Sequence, residues 1–261
     1  MVDITERKQA EEALRTSERK YSEAFRREKE AAERLRALDE MKNTFLEAVS
    51  HDLRTPLTSI LGSAITLESV DSDLTGTDAA DLLHRITTNA RKLERLLSDL
   101  LDLDRLQRGI VAPQLRPTDI RELVERCLSE IEIPEGRRID VDVTPLVVQI
   151  DASKVERILE NLLSNAIRHT PPEAHIWLRS EAQGLGVLLV VEDDGPGIPD
   201  DLHDAVFEPF RQAPGSAAEH SPGVGVGLSL VRRFSELHEG RAWMQARPGG
   251  GASFRVFLPG E

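Results

Sequence analysis

From residue 5 to residue 68 no proline occurs before Pro56 and no glycine before Gly62, and Ala, Glu, Arg, Leu and Lys dominate the composition. These residue types lose least on entering a helix. A continuous helix of this length would run to roughly 95 Å at 1.5 Å per residue, several times the ordinary globular helix. A rod of that length needs a partner along its side, and the sequence supplies a seam for one. Leu14, Tyr21, Leu35 and Val49 share one heptad position, and Ala24, Ala31, Leu38 and Phe45 share the position three residues on, with Glu28 and Lys42 as polar interruptions. Residues 1–50 interleave 12 acids with 11 bases, a pattern that fits the solvated outside of a parallel two-stranded coiled coil.

A turn-rich break, DSDLTGT at 71–77, separates this helix from a second one expected over 78–107. Leu83, Ile86, Ala90, Leu93, Leu97 and Leu100 form the second helix's stripe. Leu53, Leu57, Ile60, Ala64 and Leu67 offer the first helix a matching surface. Two helices joined by a short loop do not close a core, whereas two such hairpins do, so a homodimeric four-helix bundle is the expected product. Arg108-Gly109 ends the second helix, and Pro113 and Pro117 mark a linker.

Beyond it the pattern alternates. Helices are expected over 118–131, 152–169 and 227–237, and strands over 138–143, 146–150, 174–181, 185–192, 241–246 and 252–258, with a loose Ala/Pro/Gly/Ser segment over 212–223. That order predicts an α/β sandwich with helices on one face of a sheet. The chain therefore divides into three expected parts: a coiled-coil helix (1–40), a dimerisation hairpin (41–108) and an α/β domain (109–261).

Charge changes at the same place. Residues 1–108 carry 22 acids and 18 bases, and residues 109–261 carry 24 and 15, which together make the net charge of −13. So acidic a chain is a poor match for nucleic acid, whose phosphates are bound by basic surfaces. No run approaches the ~18 apolar residues of a membrane span, and the charged N-terminus lacks a signal peptide's apolar core. A soluble, cytoplasmic protein is expected. Cys127, the one cysteine, has no disulfide partner in the chain and reads as a small buried hydrophobe.

Chemistry concentrates in two regions. In FLEAVSHDLRTPL (45–57), Thr55 lies four residues after His51 and about 40° round the helix, on the same face, while Asp52 sits about 100° away on the flank. A nucleophile, a charge partner and a hydroxyl fall within one turn. Pro56 removes a helical N–H and is expected to bend the helix just past His51. A lone histidine on a helix is otherwise a surface or core residue, and a hydroxyl bonded back to a helix carbonyl accounts for Thr55 equally well.

The second region is spread over three segments. NLLSNAIRH puts Asn161 and Asn165 four apart on one helix face, a neutral oxygen-bearing pair suited to a hydrated Mg²⁺ and phosphates. VEDDGPGIP presents Asp193 as an acceptor for an exocyclic amine, with Gly195 and Gly197 allowing a ring close to the backbone. GVGVGLSL sets Gly223, Gly225 and Gly227 just before a helix whose free N–H groups would receive phosphate oxygens. The familiar nucleotide sites are absent from the sequence: there is no GxxxxGK[ST], no GxGxxG after a strand, and no HRD or VAIK set.

In order and spacing these segments resemble the sensor histidine kinases of two-component signalling. FLEAVSHDLRTPL is similar to their H box, NLLSNAIRH to the N box, DDGPGIP to the G1 box, FEPF (207–210) to the F box and GVGVGLSL to the G2 box. The resemblance implies a phosphotransfer bundle followed by a Bergerat-type ATP-binding domain, with ATP and Mg²⁺ as its ligands. It implies Asn165 as the Mg²⁺ ligand, Asn161 and Arg168 near the phosphates, and Asp193 on the adenine amine. Gly223 to Gly227 would form a mobile lid, and Ile198, Phe210 and Leu228 belong to the nucleotide-binding motifs. The opening DITERKQAEEAL resembles the tail of a PAS sensor, so a sensor domain is expected upstream of Met1. Arg168, His169 and Ser229 depart from the commoner Lys, Tyr and Ala, which predicts altered nucleotide contacts, with His169 packing on the adenine or ribose side.

The reaction so implied is attack of neutral His51 on the γ-phosphoryl of ATP, with Asp52 orienting the ring, and onward transfer to an aspartate of a response regulator receiver domain. Thr55 would position water for the reverse, phosphatase reaction. Two other readings compete. A hydrolytic ATPase of the same superfold would need a glutamate where Asn161 stands; Glu160 is adjacent but points about 100° away. A scaffold that binds nucleotide only to hold its shape would not need His51, Asn165, Asp193 and the lid glycines together.

Overall fold

The computed structural model describes residues 4–69, 76–209 and 225–260, and the chain divides into two compact units, residues 1–47 and 48–261. The described residues of the first unit are all helical, being the N-terminal part of helix α1 (Ile4–Ser69). Its seam positions Leu14, Ala24, Ala31, Leu35, Leu38 and Phe45 lie outside the described side chains, whereas Tyr21 and Phe25 are exposed. The second unit begins inside α1. The helix continues through Pro56 without a break.

Helix α2 (Gly76–Gln107) returns beside α1, and Asn89 Nδ2 donates to Ser59 Oγ at 3.2 Å to link the two. The turn expected over 71–77 lies, up to residue 75, outside the described residues. Gly109, at φ +64°, stops α2. The Gly109 N–H bonds the Leu106 carbonyl at 3.1 Å and the Ile110 N–H bonds the Arg105 carbonyl at 3.2 Å, the paired closure of a Schellman motif.

The remainder contains strand β1 (Arg116–Asp119), helix α3 (Ile120–Glu130), strands β2 (Arg138–Val143) and β3 (Val147–Ile150), helix α4 (Ala152–His169), strands β4 (His175–Gln183) and β5 (Gly186–Asp193), two 3-10 turns (Asp200–Leu202 and Ala205–Phe207), helix α5 (Gly227–Leu237), and strands β6 (Arg241–Ala246) and β7 (Ala252–Leu258). Five strands form one sheet in the order β2-β4-β5-β7-β6, with β2 parallel to β4 and every other pair antiparallel. The apolar stripes of α3, α4 and α5 seal its inner face: Leu123, Ile158, Leu159, Leu162, Leu163, Leu230 and Phe234 meet Ile176, Leu178, Leu189, Val191 and Val256, all fully buried.

The sequence expectation is met for α4, α5, β2, β6 and β7, whose bounds coincide with those read from periodicity. It is corrected at β1. Pro117 marks a linker by composition, yet residues 116–119 form a strand that pairs with β3. A proline survives there because the ribbon has only two strands, so its missing N–H need not interrupt a ladder on both sides. Asp119 then caps α3 by accepting from the Arg121 and Glu122 N–H groups at 2.8 and 3.3 Å, which starts that helix at Ile120 rather than Thr118.

Candidate functional site

The histidine pair is built by the helix that carries it. The His51 side chain is 60% exposed while that of Asp52 is only 9% exposed, and Nδ1 of the ring stands 3.1 Å from Asp52 Oδ1. The buried carboxylate thus fixes one ring nitrogen, and Nε2 is left on the solvent side. Thr55 is exposed, and its hydroxyl donates to the His51 carbonyl at 3.3 Å, the back-bonded arrangement expected of a helical threonine. Pro56 has no N–H to offer the Asp52 carbonyl one turn back, while the Thr55 hydroxyl adds a second donor to the neighbouring His51 carbonyl.

The residues expected at the nucleotide site are carried by α4, by the end of β5 and by the start of α5. Asp151 caps the start of α4, accepting from the Lys154 N–H at 3.3 Å and from Ser153 Oγ at 2.7 Å. Four residues apart on one face, Asn161 and Asn165 are both half-buried. Asn161 lies against the first residue of α5: a Cβ on Gly227 would come within 2.8 Å of Asn161 Oδ1. A side chain at residue 227 would displace the Asn161 amide from its present position. The N-cap of α5 is Val226, whose side chain offers no hydrogen bond to the first N–H groups of the helix.

Asp193 ends β5 as a buried carboxyl. Its Oδ1 accepts from the Gly195 N–H at 2.9 Å and the Ala252 N–H at 3.3 Å, so both backbone donors fall on the same carboxyl oxygen. Burial raises its pKa above the ordinary carboxyl value, against the two backbone donors and the Arg247 charge, which lower it. Gly197 adopts φ +73° and Gly251 adopts φ +97°, and a Cβ on Gly251 would fall 1.8 Å from the Asp193 carbonyl oxygen. Gly251 and Ala252 therefore shape the Asp193 end of the site. The sequence reading has Ala252 only as the start of a strand and gives Gly251 no role, although three consecutive glycines at 249–251 signal close backbone approach.

Ile198 and Leu228 are half-buried and pack on the α/β core. Arg168 is exposed at the end of α4. His169 is half-buried, and its pKa is lowered by burial first and by the Arg168 charge second, so the ring is neutral at pH 7. Gly225 has φ +72°. Phe210 and Gly223, together with the loose segment 212–223, lie outside the described residues. The structure thus brings together Asn161 with Gly227, Asp193 with Gly195, and His51 with Asp52 and Thr55. Glu160, the residue nearest to a hydrolytic base, accepts from Arg157 Nη1 at 3.3 Å and is engaged in that ion pair.

Two family models match the chain. His Kinase A (phospho-acceptor) domain covers residues 41–109, and the family described as histidine kinase-, DNA gyrase B-, and HSP90-like ATPase covers residues 150–261. The sensor histidine kinase TmoS of Ectopseudomonas mendocina is 36% identical over 262 residues, 98% of this chain and 26% of that protein. The chain spans well under half the length of the curated relatives it matches, 38% in the alginate biosynthesis sensor protein KinB of Pseudomonas aeruginosa. Among solved structures, the mycobacterial sensor histidine kinase MprB is 30% identical at a TM-score of 0.51, over 56% of this chain and 99% of that one. Histidine kinase ThkA in complex with response regulator protein TrrA is 25% identical at a TM-score of 0.58, over 88% of this chain and 64% of that one. With a phospho-acceptor domain followed by an ATPase-type domain, in the order that the motifs foretell, the chain belongs to the sensor histidine kinases.

Proposed function

We propose that this protein phosphorylates itself on His51 from Mg-ATP and passes the phosphoryl group to an aspartate of a response regulator receiver domain. The observation that carries the reading is the His51–Asp52 pair: a buried carboxylate holds Nδ1 at 3.1 Å, so the exposed Nε2 is the nucleophile. In the reaction the Nε2 lone pair forms a bond to the γ-phosphorus as the bond from phosphorus to the β,γ-bridging oxygen breaks, and ADP takes that electron pair. The ring becomes cationic, and Asp52, facing the Nδ1 proton, offsets the charge.

Asp193 Oδ2 would accept from the adenine amine, the open N-terminus of α5 and Arg168 would meet the phosphates, and His169 would pack beside the adenine or ribose. Phe210, Gly223 and Gly225 complete the nucleotide motifs. Asn165 would hold Mg²⁺, with Asn161 beside it. The donor set fits that ion: two half-buried amide oxygens four residues apart on α4 suit Mg²⁺, which favours one or two protein oxygens with water and phosphate completing its shell. When bound, the ion would neutralise charge on the phosphates.

The hairpin supports a homodimer. Leu57, Leu61 and Ile65 on α1, and Leu83, Leu97 and Leu101 on α2, are each more than half exposed in the single chain. A second hairpin laid against them would close a four-helix core. Residues 1–40 would form the signalling coiled coil that feeds this hairpin (41–108), with the catalytic domain over 109–261. No helix among the described residues is long and apolar enough to cross a membrane, and a cytoplasmic site of action would give access to ATP and to the receiver. Thr55 would position water for dephosphorylation of the receiver, its hydroxyl oxygen remaining open on the exposed face.

The test is incubation with γ-labelled ATP and Mg²⁺. Label that is acid-labile and base-stable is expected on His51; label absent from the wild type, or equally stable to acid, would defeat the proposal.

A further inference from the structure

Arg137 stands at the entrance to β2, just after Gly136, whose φ of +83° turns the chain. Its guanidinium reaches across to the far end of α4. Nη2 donates to the Ile167 carbonyl at 2.9 Å and to the Thr170 carbonyl at 3.3 Å. Nη1 donates to Thr170 Oγ1 at 3.0 Å, to the Ala174 carbonyl at 3.2 Å and to the Pro171 carbonyl. Helix C-termini leave carbonyls without intrahelical donors and carry partial negative charge, so a cationic fork is well matched to them. One side chain thereby binds the last turn of α4 and the whole loop that leads into β4.

That turn and loop border the nucleotide site on two sides. Ile167 and Thr170 bracket Arg168 and His169, one turn beyond Asn165 on the same helix. The hydroxyl of Thr170 also donates to the Ala166 carbonyl at 2.6 Å, and its methyl lies where a Cβ on Gly195 would come within 2.6 Å. Gly195 in turn donates its N–H to Asp193 Oδ1 at 2.9 Å. A continuous set of contacts therefore runs from Arg137 through Thr170 and Gly195 to the Asp193 carboxylate, while the same guanidinium fixes the helix end that carries Asn165.

From this we infer that Arg137 is a positioning residue for nucleotide recognition: it sets the spacing between the Asn161/Asn165 face of α4 and the Asp193 turn without touching the ligand. The inference rests on reading this site as the ATP site. Arg137 acts through geometry present before ATP arrives, so its loss weakens ATP binding and leaves the phosphoryl-transfer step at saturating ATP unchanged.

Arg137→Lys keeps the positive charge but not the planar fork, and Thr170→Val keeps the methyl against Gly195 but not the hydroxyl. Binding of Mg-ATP to the full chain by calorimetry, and the ATP dependence of initial autophosphorylation, are compared for wild type, both variants and Leu123→Ala, a buried-core variant on α3 that lowers stability away from the site. Arg137→Lys is expected to raise both Kd and KM for ATP about tenfold with kcat within about twofold, and Thr170→Val to raise them less. The core variant, assayed below its unfolding temperature, keeps the wild-type KM. Unchanged Kd in Arg137→Lys, a loss confined to kcat, or an equal rise in KM in Leu123→Ala would overturn the assignment. A wild-type chain that binds no Mg-ATP would instead overturn the proposed function.

Discussion

Helix α4 and the hairpin helices α1 and α2 are all amphipathic, yet they end up in opposite conditions. On α4, Ile158, Leu159, Leu162 and Leu163 are fully buried against the sheet, whereas Leu57, Leu61, Ile65, Leu83, Leu97 and Leu101 of the hairpin stay more than half exposed. The stripe on α4 meets its complement within the chain. That on the hairpin has no complement among the described residues, and each such side chain would gain roughly 2 kcal/mol on full burial. The contrast separates a region whose apolar stripe is closed within the chain from one whose stripe stays open, and the proposed nucleotide site falls in the first while His51, the proposed phosphoryl acceptor, falls in the second.

The strongest way to sharpen that division is to remove chemistry from each side separately. His51→Gln should lose all acid-labile label while Mg-ATP binding stays within about twofold of wild type, because the α/β domain does not depend on the ring. Stable label on the variant would move the phosphorylated residue elsewhere. Asn165→Ala is the converse case: Mg²⁺-dependent phosphorylation should fall about a hundredfold while sedimentation still reports a dimer.

Breaking the hairpin's exposed stripe comes next. Leu57→Glu combined with Leu61→Glu should weaken dimerisation more than a hundredfold, as roughly 3 kcal/mol or more of apolar burial is lost per chain, without altering ATP affinity. A dimer of undiminished strength would show that another surface joins the chains. Thr55→Ala should leave autophosphorylation intact and slow receiver dephosphorylation about tenfold; equal rates would confine Thr55 to its bond with the His51 carbonyl.

The smallest effect is at the seam where α2 meets α4. Asp99 is buried beside Arg157, and its pKa is raised to about 6, chiefly by burial, with Asp102 and Glu160 pushing it up and Arg157 and Arg95 pulling it down. The folded chain then holds an extra proton between about pH 4 and pH 6, so the contribution of this group to stability falls as pH rises through that window and is level above it. In Asp99→Asn the thermal midpoint relative to wild type should therefore climb from pH 4 to pH 6 and then stay flat. A difference independent of pH would remove Asp99 as the source.

What the sequence made legible follows the same division between local and distant causes. Periodicity bounded by a cap residue gave α4 its limits, and the glycines before Leu228 marked the start of α5. The nearness of Asp52 to His51 follows from helix geometry alone. Strand β1 was hidden because composition at Pro117 argues for a linker, and only the tertiary pairing with β3 overrules it. Arg137 and Thr170 are 33 residues apart in sequence, and no pattern in either segment announces that one holds the other. The approach of Gly251 to Asp193 is equally nonlocal, and the closeness of Gly227 to Asn161 is a matter of packing between two helices.

The final turns of α2 carry Leu103 inside the α/β core and Leu96, Leu100 and Leu106 against it, while Lys154 Nζ reaches Asp102 at 3.4 Å. This has a practical bearing on where the chain can be cut. Excision at Gly109, where the helix visibly ends, would remove Leu96, Leu100, Leu103 and Leu106 from the apolar surface they cover and take away the acidic partners of Lys154 and Arg157 on α2. The freed fragment should aggregate more readily than one starting near Arg95, and a protease acting on the intact protein should spare residues 96–106 even though they belong to a helix continuous with the open hairpin.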